Sequence, residues 1–120
     1  MSRSKAQGTR FESYLIAHKL RTGNAWRLAE GGEHDAGDIT WRLPSGDHVV
    51  IEAKRRENLP VHAALAKAKG KVAAADLPFI PLLTVVVWDR PALKAGNVRR
   101  SRVGEPVVIV GLDDFIKLVS

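Results

Sequence analysis

Apolar residues recur at helical spacing near the start of the chain. Phe11, Leu15 and His18, flanked by Tyr14 and Ala17, share one stripe. Ser4 and Gln7 fit a capping box, and Gly23 suits the left-handed position that ends a helix. The first helix is therefore expected from about Lys5 to Thr22, with His18 on its packed stripe. Ala25 to Ala29 reads as a short strand. After the polar, glycine-rich segment Gly31-Gly32-Glu33-His34-Asp35-Ala36-Gly37, the period changes from helical to alternating. Asp38 to Leu43 puts Ile39, Trp41 and Leu43 on one side, and Asp47 to Arg55 does the same with Val49, Ile51 and Ala53. Pro44-Ser45-Gly46 between them is the signature of a three-residue hairpin loop, with glycine at the left-handed position.

In the second half, Pro60 fits the first turn of another helix, where its missing N–H is not needed. Leu65, Lys69, Val72 and Asp76 mark its stripe, alanines widen it, and Gly70 is read as close packing against the sheet. Leu82 to Trp88 is a continuous apolar run, as in a strand covered on both faces. Lys94 to Glu105 is a basic loop without periodicity. Val107 to Val110 gives a last strand. Leu112 to Val119 gives a closing helix with Asp113 and Asp114 at its positive end. The order α-β-β-β-α-β-β-α defines an α/β or α+β sandwich, a mixed sheet flanked by helices, in a single domain over residues 1–120.

Composition narrows the chemistry. A chain of 120 residues buries roughly two-thirds of the surface its unfolded form exposes, enough for a core without staples. The absence of cysteine removes disulfides, thiolate zinc sites and a cysteine nucleophile. The polar start Met1-Ser2-Arg3-Ser4-Lys5 lacks the apolar stretch of a signal peptide, and no apolar run is long enough to span a bilayer, so a soluble, cytoplasmic protein without membrane partners is expected. The net charge of +6 favours a phosphate backbone as partner.

The hairpin register brings the chemistry-bearing residues together. With a three-residue loop, Leu43 pairs with Asp47, and counting back sets Trp41 opposite Val49, Thr40 opposite Val50 and Asp38 opposite Glu52. Opposed residues share a face, and Lys54, two residues beyond Glu52, shares it too. A slip of one residue would separate the carboxylates. Carboxylates whose Cβ atoms are about 5 Å apart repel one another, and a hard divalent cation such as magnesium or manganese offsets that repulsion. A neighbouring ammonium can orient water or neutralise a phosphate as charge builds.

Gly37-Asp38-Ile39 followed by Ile51-Glu52-Ala53-Lys54 resembles the PD-(D/E)XK nuclease superfamily, with Gly37 where the superfamily's name carries proline. A preceding helix with Gly8-Thr9-Arg10-Phe11-Glu12 makes the chain similar to archaeal-type Holliday junction resolvases over roughly Lys5 to Arg90, although Gly31-Gly32-Glu33-His34 replaces the serines usual before the aspartate. The resemblance implies a restriction-endonuclease-like core and a Mg2+-dependent endodeoxyribonuclease (Mn2+ also serving). It implies catalytic Glu12, Asp38, Glu52 and Lys54, with the metal held by Glu12, Asp38 and Glu52. It also implies a role in recombination and repair, on branched DNA as a four-way junction. A homodimer would match the junction's two-fold symmetry.

Nucleic-acid contacts are expected from Arg10, Arg55, Arg56, Arg99, Arg100 and Arg102, with one of Arg55 and Arg56 turned to the bound strand; Lys67, Lys69 and Lys71 are further phosphate-contact candidates. His34 and Asp35 lie near the proposed site as possible ligands or base. Trp41 and Trp88 read as core. Other readings stay open: Glu12 as a surface partner of Arg10 or Lys19, and the Asp38, Glu52 and Lys54 face as a solvated cross-strand ion pair. For the protein as a whole two alternatives to a junction resolvase stay open: another nuclease of the superfamily (nicking, repair or restriction-type), or a non-catalytic nucleic-acid-binding module.

Overall fold

The computed structural model describes residues 10–27, 38–91 and 104–120. The expected capping box at Ser4 and Gln7, the His34 and Asp35 loop, and Arg99, Arg100 and Arg102 lie outside those residues. Within them the chain is an α+β domain with one mixed sheet and three helices. Helix α1 covers residues 10–19 and closes with a π-helical turn, Leu15–Lys19. The strands are β1 (Asn24–Arg27), β2 (Ile39–Arg42), β3 (His48–Arg55), β4 (Leu83–Asp89) and β5 (Val107–Ile109), with α2 (Val61–Ala74) and α3 (Leu112–Val119). Spatial order follows chain order. Among the described strands only β3 and β4 run parallel, with α2 as their crossover; the other neighbours are antiparallel. No helix among the described residues is long and apolar enough to cross a membrane.

The hairpin forms in the register that its loop demands. Ile39 faces Ile51, Thr40 faces Val50, Trp41 faces Val49 and Arg42 faces His48. The Leu43 N–H donates to the Asp47 carbonyl (2.8 Å), the Gly46 N–H donates to the Leu43 carbonyl (2.9 Å), and Gly46 has φ +95°. Alternation then sorts the side chains. Ile39, Val49, Ile51, Val85 and Val87 are buried with Phe11 and Leu15 of α1, and Trp41, Leu43 and Ala53 pack around them. The other face buries Val86 with Ala68 and Leu59, backed by Ala64 and Leu65 of α2 and by Trp88. Residues 84–87 are buried throughout, as their unbroken apolar run requires.

Three details depart from the sequence reading, each for a local reason. First, α1 ends at Lys19 rather than Thr22. Its last N–H bond is Leu20 to the Leu15 carbonyl (2.9 Å), an i to i+5 closure. The widened turn brings Ile16 and Leu20 onto the core and leaves His18 exposed against the Tyr14 ring. Gly23 is left-handed (φ +78°), but its task is close approach: a Cβ there would sit 2.1 Å from the Arg42 carbonyl oxygen. The Trp41 indole donates to the Thr22 carbonyl (2.6 Å) beside it.

Second, α2 stops at Ala74, so Asp76 lies outside it, and its packed positions are Ala64, Leu65 and Ala68. Lys69 instead donates to Asp114 of α3 (2.8 Å). Third, Gly70 is not a packing glycine, since a Cβ there meets open space. Helix α3 starts at Gly111, whose carbonyl accepts from Phe115 N–H (2.9 Å), and it has no buried residue.

Candidate functional site

The paired part of β2 begins at Ile39, and Asp38 sits at its mouth. Two hydrogen bonds fix it there. The Asp38 N–H donates to the Ile51 carbonyl (3.0 Å), and the Ala53 N–H donates to Asp38 Oδ2 (2.7 Å). The carboxylate thus takes an N–H of β3 that a further ladder carbonyl would otherwise accept. Glu52 lies between Ile51 and Ala53 on β3, on the face that α2 covers, and is only 4% exposed.

A buried carboxylate demands compensation. Glu52 Oε1 has two ammonium partners: Lys54 of its own strand at 3.3 Å and Lys71 of α2 at 3.1 Å. Its second oxygen, Oε2, is buried and accepts no hydrogen bond from the described residues. The same holds for Thr40 Oγ1, also on this face.

Electrostatics joins the remaining groups. The Asp38 carboxyl is raised from its ordinary 3.8 to about 7, first by burial and then by the Glu52 charge. Glu12 raises it further, while the Ala53 N–H and the Lys54 ammonium act in the opposite sense. Glu12, half-buried on α1, lies with Oε2 3.8 Å from Arg27 Nε of β1, and Arg27 also donates to Ser13. Three carboxylates therefore share one field with three cations: Arg27, Lys54 and Lys71. Among the described residues, no group of three acidic or imidazole side chains is drawn together as a formed metal site. Chemically, the arrangement offers an oxygen-only donor set with one carboxylate oxygen to spare, which fits a hard divalent cation better than a soft one.

The expected nucleic-acid contacts separate. Arg55 is committed to Asp89, with Nε donating to Oδ2 at 3.0 Å, and Asp89 is fully buried. Arg56 is exposed, and its carbonyl accepts the Trp88 indole N–H (2.8 Å). Arg10 is exposed at the start of α1 and Lys67 on α2. Trp41 and Trp88 are half-buried and pack against the two cores. Two residues here gain a weight that the sequence reading did not give them. Lys71 was read from the sequence only as one of three lysines that could contact phosphate; the signal that singles it out is its place three residues after Ala68, the buried position of α2. Asp89 becomes legible only through the parallel register that sets it beside Arg55.

Fold and site together define a mixed α+β domain with an acidic pair and two ammonium groups where a hairpin opens. No family model, no curated protein and no solved structure matches the chain.

Proposed function

We propose that this protein is a metal-dependent DNA endonuclease with a restriction-endonuclease-like core of the PD-(D/E)XK kind, acting on branched DNA, with a four-way junction as its substrate. One observation carries the reading. Asp38 and Glu52 come from adjacent strands, the Glu52 charge helps burial to hold the Asp38 carboxyl above its ordinary value, and Glu52 keeps a buried oxygen that accepts no hydrogen bond from the described residues. A purely structural ion pair would have no reason to leave that oxygen bare.

Asp38, Glu52 and Glu12 are the residues that would hold Mg2+ or Mn2+. When bound, such an ion acidifies a water and neutralises phosphate charge. Lys54 keeps a proton-bearing ammonium beside Glu52, positioned to orient water or to meet the phosphate. Arg56 and Arg10, both exposed, supply backbone contacts together with Arg99, Arg100 and Arg102. Arg55 is better read as the partner of Asp89. For paired incisions a homodimer is needed. The exposed apolar residues Val107 and Val108 of β5, and Leu112, Phe115, Ile116 and Val119 of α3, offer the surface for it.

A second reading, a nucleic-acid-binding module without catalysis, draws on the two ammonium groups that already neutralise Glu52. Incubation of a synthetic four-way junction and a linear duplex with the protein separates the two, with and without Mg2+. Magnesium-dependent cutting of the junction in preference to duplex is expected, lost in Asp38→Asn and Glu52→Gln while binding is retained. Equal cutting of both substrates removes the junction preference, and binding without any cutting favours the module.

A further inference from the structure

We propose that Lys71 is a built-in cation at the metal site: it pairs with Glu52 in the metal-free protein, yields that place when a divalent ion arrives, and then serves the DNA phosphate. The proposal rests on the nuclease reading and deepens it.

Among the described residues, Glu12, Asp38 and Glu52 are faced by Arg27, Lys54 and Lys71, so with all three carboxylates ionised these six charges already balance. A divalent ion added to that balance leaves two charges in excess, in surroundings where Glu52 is nearly dry. Two ammonium nitrogens within 3.3 Å of one oxygen, Oε1, already repel each other. One of them is the group to leave. Lys54 is fixed to the same strand as Glu52, two residues on. Lys71 reaches in from α2 on a flexible four-carbon stem and is still partly in contact with solvent, its side chain 27% exposed. An ammonium displaced from Glu52 remains tethered next to the acidic pair, where the scissile phosphate of a bound strand would lie. Its charge then joins the phosphate contacts.

Lys71 and Lys54 differ in what their removal does. Removing Lys71 relieves competition for Glu52, so metal affinity rises; removing Lys54 lacks the second consequence, a DNA contact that exists only when metal is present.

Calorimetric titration of Mn2+ into the full-length protein, without DNA, reads the first consequence. Lys71→Met is expected to bind Mn2+ about five- to tenfold tighter than wild type. Lys71→Arg, which keeps the charge, stays near the wild-type affinity. Salt-dependent binding of a four-way junction reads the second, with Ca2+ replacing Mg2+ to suppress cutting. In Ca2+, Lys71→Met loses about one unit of salt slope relative to wild type; in EDTA the two proteins have the same slope. Equal or weaker Mn2+ binding by a folded Lys71→Met overturns the inference while leaving the nuclease reading intact, and so does a loss of slope that is the same in Ca2+ and EDTA. Absence of Mn2+ binding by wild type and Lys71→Met alike overturns both.

Discussion

Replacing Asp38 with asparagine should stabilise the metal-free protein, and the gain should grow with pH. The native Asp38 carboxyl titrates near 7, against 3.8 for an ordinary aspartate, so between those values the folded chain retains a proton that the unfolded chain has lost. Stability is therefore fully present below about pH 4 and falls as pH rises through 7. The window spans about three pH units at about 1.4 kcal/mol each, a full linkage of about 4 kcal/mol. Asp38 is half-buried at the mouth of the hairpin, and solvent screening brings the expected effect to about 1–2 kcal/mol. Asparagine keeps the side-chain carbonyl that accepts the Ala53 N–H and removes the charge that Glu52 and Glu12 oppose. Thermal melts in EDTA at pH 5, 6, 7 and 8 isolate the effect, because other titrating groups cancel in the comparison. At pH 8 the variant should melt about 4–8 °C above wild type, and at pH 5, early in the window, the difference should shrink to about a third of that. Adding Mg2+ at pH 8 should raise the wild-type midpoint more than that of the variant. A variant less stable than wild type at pH 8, or one with the same pH slope, would refute the claim that Asp38 sits in the field of the other carboxylates.

Gly70→Ala should stabilise the protein by about 1 kcal/mol, since the site is an open helix position; chemical denaturation reads it, and any destabilisation would mean that the helix packs more closely there. Arg55→Ala should destabilise by about 1.5–3 kcal/mol by removing an ion-pair partner of the buried Asp89, whereas Arg56→Ala should leave stability within about 0.5 kcal/mol and weaken DNA binding; denaturation and binding titrations on both variants separate the roles. Phe115→Glu should turn a dimer into a folded monomer by light scattering; a wild-type monomer, or a dimer that survives the substitution, removes α3 as the contact.

The hairpin was legible because two rules agreed on it. Pro44-Ser45-Gly46 demands a three-residue loop, and the alternation on either side leaves only one register that buries Ile39 and Ile51 together. The closing helix was legible from Leu112 to Val119 for a similar reason, a strong apolar stripe with acids in its first turn. What periodicity could not supply was the partner of each face. The π-helical turn in α1 depends on how Ile16 and Leu20 meet the sheet, so the stripe alone pointed to His18. Lys67, Lys69 and Lys71 look alike in a sequence, yet α2 sends Lys69 to Asp114 and Lys71 to Glu52. Side-chain destinations across elements are set by packing, which leaves no trace in local spacing.

The candidate site shows the same tension in energetic form. A strand residue flanked by Ile51 and Ala53 on a covered sheet would be most stable as valine, like Val50 beside it. Glutamate there must be desolvated, and its attraction to two ammonium groups offsets that cost without satisfying Oε2. Asp38 adds a second penalty by standing in the field of Glu52 while burial already disfavours its charge. Neither group improves the fold where it is, and Lys54 and Lys71 limit the damage rather than reverse it. Stability alone would favour apolar residues of similar volume in place of such a cluster, and it is at sites of this kind that local rules are expected to give way to function.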